Sequence, residues 1–372
     1  MFFLSNNVVV AQMAQEEKPL RVAKIYTIYD ISIDETARSA NLARRTALAK
    51  GQRQALGLLL NKIIRMEDIK RLPEFADPQV AELVSGFEVL GEKTSNIRYI
   101  AKLTVHFSRQ KIYDLLSQLD IPFAETLSNP VSILPVLEQG GAVVLWQKNN
   151  HWLTAWQDFD TINHLVPLNL PVASFKNKII INARQARNGR VENILEYKKQ
   201  NGIERLYIVM ARVERAISRD EILLHLTIRE GETGALVFAE EFARKIDPEY
   251  AGLDIEYMLS PLYQQAMEKA TYWIDDQWKQ RVLVHFDTSS QVKIKVVLEA
   301  SRDWFDIGKR LENISLIRMI TLKEISTHTV IVAIDHVGDM DQVRLALTQE
   351  NIDLKHENEE WVLSIGDKDA NE

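Results

Sequence analysis

QVKIKVVLEASRDWFDIGKRL (residues 291–311), continued by SLIRMITLK (315–323) and HTVIVAIDHV (328–337), is the part of the sequence that decides the fold class. Across 291–298 apolar residues alternate with Gln and Lys, the two-residue period of a strand with one buried face. Ser301 then offers an N-cap, and Trp304, Ile307, Gly308 and Leu311 follow at helical i, i+3, i+4, i+7 spacing. Trp304 is expected to face the sheet as a core residue. Two strands come next. Asp339 caps a helix over 340–350, and short strands at 352–355 and 361–365 close the unit. The order β-α-β-β-α-β is the split βαβ, ferredoxin-like arrangement.

Outward from that module the same logic gives an α+β chain of several small α/β sandwich modules. Residues 18–125 read as an N-terminal α+β module. It begins with a strand over 21–33, and Asp34 and Glu35 open a helix over 36–65. On that helix Ala40, Ala43, Ala47, Gly51 and Leu58 form a narrow face able to lie close to a sheet. A short helix, a hairpin over 86–107 and a helix over 109–119 complete it. Residues 126–250 form a middle module, with strands at 131–136, 142–146, 165–170, 205–213, 221–229 and 235–242. Its helices fall at 151–159, 177–187 and 191–200. A linking helix occupies 251–280, with Pro261 kinking it or marking its start. Residues 281–366 form the ferredoxin-like module, and 367–372 a polar, disordered tail.

Composition narrows the function. Of 372 residues, 46% are hydrophobic and 26% charged, enough for more than one core. A net charge of −7 argues against a broad basic footprint and against nucleic-acid binding. The absence of Cys removes disulfides, zinc–thiolate sites, iron–sulfur clusters and thiol catalysis. Residues 1–17 (MFFLSNNVVVAQMAQEE) combine an apolar stretch, small residues at Ala11 and Ala14 and a polar switch at Gln15. They read as a truncated signal segment. No apolar run approaches the ~18–20 residues that span a bilayer.

The chemistry-bearing motifs are few. No nucleotide-binding glycine loop, zinc-protease motif or nucleophile elbow is present, and no cofactor or metal is expected. Asp335, His336, Asp339 and Asp341 have the look of a cation loop, but their place between a strand and a helix makes Asp339 a cap. Asp158, Asp160 and His164 are candidates for an acid–base group. Trp146, Trp152 and Trp156 are the candidate binding residues. Trp152 and Trp156, four apart, share a helical face, and could line an apolar or sugar-like pocket or serve as core. The basic side of the first helix, with Arg38, Arg45, Lys50 and Arg53, could meet anionic lipid headgroups or an acidic partner.

The segments ARSANLARRTALAKGQRQALGLLL (37–60), NHWLTAW (150–156) and SRDWFDIGKRL (301–311) carry a resemblance, joined by Leu145-Trp146, Gly338-Asp339 and Trp361-Val362-Leu363. Together they resemble a proteobacterial family known as domain of unknown function two-zero-six-six. The resemblance implies a bacterial source and export to the cell envelope. The first module is also similar to small α+β modules of exported envelope assembly proteins. The expectation is a periplasmic or envelope protein that binds another protein or an envelope component without catalysis. The alternatives are a hydrolase-like enzyme using the Asp158–His164 region and a cytosolic scaffold.

Overall fold

The computed structural model describes residues 25–218, 220–246, 255–284, 289–298, 303–312, 314, 316–350, 352–357 and 360–365. The expected signal segment, the tail and the Ser301 cap lie outside these residues. The protein is α+β. It divides into two units. One joins Met1–Leu127 to Asp276–Glu372, and the other is Ser128–Asp275.

The first unit opens with β1 (Thr27–Thr36), α1 (Ala40–Ile63), α2 (Asp77–Leu83), β2 (Val84–Thr94), β3 (Arg98–Phe107), α3 (Arg109–Gln118) and β4 (Phe123–Ala124). Antiparallel strands make a sheet of order β1-β3-β2. The strand ends later than the sequence suggested, because Asp34 and Glu35 stay in it, and the expected start at 21–24 lies outside the described residues. Arg98 of β3 donates to both Asp34 oxygens, at 2.8 and 2.5 Å. The helix opens instead at Ser39, whose hydroxyl accepts from the Leu42 N–H. Along α1, Ala43, Ala47, Gly51 and Ala55 are buried, and Leu58 is only half-buried. A Cβ on Gly51 would stand 2.5 Å from Leu103 and 2.8 Å from Ile33, so the helix lies against the sheet with no room for a methyl group.

The last carbonyls of α1 are satisfied by a buried lysine. Lys279 Nζ donates to the carbonyls of Asn61 (2.5 Å) and Ile64 (2.9 Å), where the helix dipole also favours a cation. Beside it, Asp276 accepts from the Met66 N–H at 2.9 Å and from Arg65 at 3.3 Å. Glu125, 3% exposed, accepts from the Tyr26 hydroxyl and from Arg109, and burial followed by the Glu125 charge holds the Tyr26 phenol well above its ordinary range.

The second unit runs through β5 (Val131–Gln139), β6 (Ala142–Val144), α4 (His151–Asp158), β7 (Leu168–Asn169), α5 (Phe175–Ile180), α6 (Ala183–Arg187), α7 (Val191–Gln200), β8 (Leu206–Ala216), β9 (Glu221–Glu230), β10 (Leu236–Lys245) and most of α8 (Ile255–Val282). The helix expected over 177–187 is two helices, because Asn182 starts a new capping box with Gln185. Pro261 lies inside α8. The sheet order is β10-β9-β8-β5-β6, with β7 beside β5. Strand β8 runs parallel to β5 and antiparallel to β9.

Helices cover this sheet on both faces. On one, α4 and α8 pack: the Trp152 indole donates to the Val209 carbonyl at 3.0 Å, and Trp273 stacks edge-on to Tyr207. On the other, α5–α7 bury Leu134, Val136, Leu206 and Ile208 among Ile181, Ala186, Ile194 and Tyr197. That second cover stops short. Beyond Ile208 the same face of β8 continues through Met210, Arg212 and Glu214, which are half-buried or exposed.

The first unit resumes with β11 (Leu283–Val284), which pairs with β4, then β12 (Ser289–Val297), α9 (Asp303–Glu312), β13 (Ile317–Ile325), β14 (Thr329–Val337), α10 (Met340–Gln349), β15 (Ile352–Glu357) and β16 (Glu360–Ile365). The expected β-α-β-β-α-β order is present, with one more strand. The sheet reads β13-β14-β12-β16-β15. Strand β16 turns back from β15 and inserts beside β12, parallel to it, which leaves β15 at the edge. This places Leu363 next to Val296 and opposite Leu354, and all three are buried. Ile307 and Leu311 are fully buried on α9, whereas Trp304 is half-buried and Phe305 is 65% exposed. The expectation that Trp304 is core is corrected: the apolar weight of α9 rests on the two aliphatic residues one and two turns further on.

Candidate functional site

The uncovered half of the sheet face in the second unit carries a cluster of charged side chains. Side chains alternate along a strand, so register decides which of them stand together. Cα partners Glu241↔His225, Arg212↔His225 and Glu138↔Arg212 put Glu241, His225, Arg212 and Glu138 in one row across β10, β9, β8 and β5. The next row towards the helices is Ala239, Thr227, Met210 and Val136, and Glu214 lies one step the other way on β8. Arg187, at the end of α6, overhangs the row. Glu138, Arg187, Met210, Arg212, His225, Thr227, Ala239 and Glu241 line an open cleft of about 520 Å³, with Glu214 beside it.

Within it two acidic residues flank His225 and Arg212, and the charges pair. His225 Nδ1 stands 3.2 Å from Glu241, and Nε2 lies 3.4 Å from Glu214 without hydrogen-bond alignment. Arg212 reaches Glu214 at 3.3 Å and Arg187 reaches Glu138 at 3.1 Å. Arg229 is spent on the scaffold, donating to the carbonyls of Arg187 (3.0 Å) and Gly234 (3.1 Å). Part of each remaining pair is solvent-exposed, so each contributes little to stability and can be exchanged for a ligand's charge. The wall contains amide, hydroxyl and thioether groups from Asn188, Thr227 and Met210. The cleft therefore offers donors and acceptors in a fixed row above an apolar floor.

The residues singled out from sequence lie elsewhere. Trp146 belongs to the core under α5–α7, its indole donating to the Ile181 carbonyl at 2.7 Å. Trp152 and Trp156 do share a face of α4. They pack edge-to-face, with ring centroids 5.4 Å apart, and Trp152 also packs on Tyr263 of α8. All three are buried at 9% exposure or less.

Asp158 and Asp160 line a shallow groove of about 460 Å³ with Tyr263 and Met267, and His164 is not among its lining residues. His164 Nδ1 lies 2.6 Å from Asp275, whose other oxygen accepts from the Val166 N–H at 2.9 Å. Asp275 is fully buried, and it pins the loop before β7 to α8. The partner of His164 is thus a residue 111 positions away.

Of the apparent cation loop, Asp339 caps α10 in a capping box with Gln342, Asp335 accepts from Gln291 and Asp341 pairs with Arg344. Among the described residues no group of three His, Asp or Glu side chains could hold a metal ion. On α1, Lys50 pairs with Glu35, Arg53 with Asp77 and Arg44 with Glu92. Among the described residues no helix is long and apolar enough to cross a membrane.

No protein-family model matches the sequence, and no protein of curated function matches it either. Among solved structures, the C-terminal domain of LpoB from Salmonella enterica is similar at a TM-score of 0.22 and 11% identity, over 36% of this chain and 93% of that one. The lipoprotein GNA1162 from Neisseria meningitidis is similar at 0.24 and 12%, over 38% of this chain and 99% of that one. At these scores neither likeness carries an activity or a partner over to this chain.

Proposed function

We propose that this chain is a non-catalytic binding protein of the bacterial cell envelope, and that the open half of its central sheet face takes a mixed-charge segment of a protein partner. The observation that carries the binding reading is the in-register row Glu241–His225–Arg212–Glu138 beside Glu214 and Arg187. A row of partly exposed acidic and basic groups fits a polypeptide with charges of both signs. Electrostatic complementarity of this kind sets register and specificity more than raw affinity. The envelope reading draws on the apolar N-terminal segment and on the resemblance to the proteobacterial family. The enzyme alternative is disfavoured by geometry, since His164 turns to Asp275 and away from the groove of Asp158 and Asp160.

The test has two arms. Fusion of the genomic N-terminus to a reporter active only outside the cytoplasm should give signal, and a well-expressed but silent fusion would remove the envelope reading. A photo-crosslinking residue in place of Ala239, in cells, should give one discrete adduct. Arg212→Glu should abolish that adduct while the fold, followed by circular dichroism, is unchanged. Failure to form the adduct, or its survival in Arg212→Glu, would remove the cleft as the binding site.

A further inference from the structure

Across residues 161–191 the sequence holds no Asp or Glu, in a chain whose net charge is −7, while Lys176, Lys178, Arg184, Arg187 and Arg190 fall within it. Helix α5 (Phe175–Ile180) lies in this stretch, and its amphipathicity is inverted. The side chain that it buries is Asn177, 4% exposed, which donates to the Val172 carbonyl at 3.0 Å and to Asn201 at 3.3 Å. The side chains that it turns to solvent are Phe175 and Ile179, one turn apart, at 81% and 68% exposure. Val172, just before the helix, is 73% exposed. One exposed apolar residue is ordinary, but a contiguous set this exposed marks a contact surface.

We propose that this turn is a contact for an anionic phospholipid surface. Phe175, Ile179 and Val172 enter the interface between headgroups and acyl chains, and Lys176 and Lys178 meet the headgroup phosphates. The chemistry on both sides agrees. A helix that shows aromatic and aliphatic residues flanked by lysines suits the plane of a bilayer interface, where long lysine stems keep their ammonium groups in water. The sequence from 161 to 191 contains no carboxylate to repel an acidic leaflet, and the carboxylate that shares a groove with Val172 is Glu204, before β8. On α1, Arg44, Lys50 and Arg53 are held by Glu92, Glu35 and Asp77, whereas among the described residues Lys176 and Lys178 make no ion pair. This surface does not depend on the His225 cleft, and either can fail without the other.

Co-sedimentation of the full chain with vesicles tests the proposal. Binding should appear with equal parts of phosphatidylglycerol and phosphatidylethanolamine, weaken as salt rises, and be absent with phosphatidylcholine alone. Lys176→Glu and Lys178→Glu should each lower it about fivefold or more. Phe175→Ser with Ile179→Ser should lower it about tenfold or more. All four positions are exposed, so folding should be untouched, with the thermal transition as the control. Because the chain has no Cys, a single Ile179→Cys can carry an environment-sensitive dye. Its emission should shift to the blue with the anionic vesicles, while the same dye at Ile217→Cys, a still more exposed site, should not respond. No binding to the anionic vesicles would overturn the proposal. So would equal binding to both lipids, unchanged binding by the Phe175/Ile179 variant, or an equal response at both dye positions.

Discussion

Two glycines on α1 should respond to the same substitution with opposite signs. In Gly51→Ala the new methyl group would stand 2.5 Å from Leu103 and 2.8 Å from Ile33, against the ~3.5–4.0 Å of an ordinary carbon contact. Leu103 is fully buried, so it has no free space to turn into. The helix must lift from the sheet by roughly 1 Å, or Leu103 must leave its rotamer. Overpacking of this kind costs about 1–3 kcal/mol. Replacing Gly by Ala within a helix returns about 0.8–1 kcal/mol, so Gly51→Ala should destabilise by up to about 2 kcal/mol. In Gly57→Ala, six residues along, the methyl group meets nothing within 4 Å, and the full helix gain of about 0.8–1 kcal/mol should remain. Hydrogen exchange of the α1 amides in the full chain is the suitable assay, because it reports local opening without assuming that both units unfold together. The pair should differ by about 1–3 kcal/mol, and Leu103→Val should relieve Gly51→Ala in a double mutant. If Gly51→Ala protected α1 as well as Gly57→Ala does, the close helix–sheet contact would be refuted.

Two further substitutions test other parts of the first unit. Arg109→Ala strips a buried carboxylate of its cation, and the cost of leaving Glu125 uncompensated should be about 3–5 kcal/mol in a urea titration, with Glu125→Gln restoring part of it in the double mutant. On α9, Ile307→Ala should cost about 2–4 kcal/mol and Trp304→Ala distinctly less, as the burial of the two side chains requires. A larger loss at Trp304, measured the same way, would restore the helix facing that the spacing alone suggests.

The elements themselves were legible because their signals are local. Ser108 and Asp339 each cap the helix that follows, by side-chain acceptance from the third residue on, whereas the Ser174 cap went unread and its helix starts at Phe175, ahead of the expected 177. The alternation of 291–298 and 328–337 does place Ile294, Val296, Val330, Val332 and Ile334 in the core. Where the reading slipped, a distant partner had altered a local preference. Asp34 and Glu35 resemble the start of a helix, but Arg98, far along the chain, and Lys50, on the next turn of structure, hold them as strand and rim. Spacing puts Trp304, Ile307 and Leu311 on one face. It cannot tell which of them is fully buried and which is only half-buried. The parallel insertion of β16 left no trace in its own sequence, because a hairpin may fold back beside either neighbour and only the register of Leu363 on Val296 selects one.

The candidate site shows the same limit in a sharper form. Tryptophans drew attention as rare residues close in sequence, yet a ring that large most often gains by burial, and all three are core. The cleft residues are individually unremarkable: one Glu, one Arg and one His on three ordinary strands, and a second Glu on a fourth. Each strand does carry a signal. Glu138, Arg212, His225 and Glu241 all occupy the parity of their strand that points away from α8, and in β5 and β8 that face is apolar through Leu134 and Val136 and through Leu206, Ile208 and Met210 before the polar interruption at Glu138 and Arg212. Such an interruption says that the helical cover ends there. It becomes a site only when the four interruptions fall in one row, and that requires the pairings of β5 with β8, β8 with β9 and β9 with β10 together. The β9–β10 hairpin was readable from its turn, and the antiparallel neighbour β8 was within reach. The parallel pairing of β5 with β8, across four helices and some seventy residues, is the step that local sequence does not encode, and it brings Glu138 and Arg187 to the row.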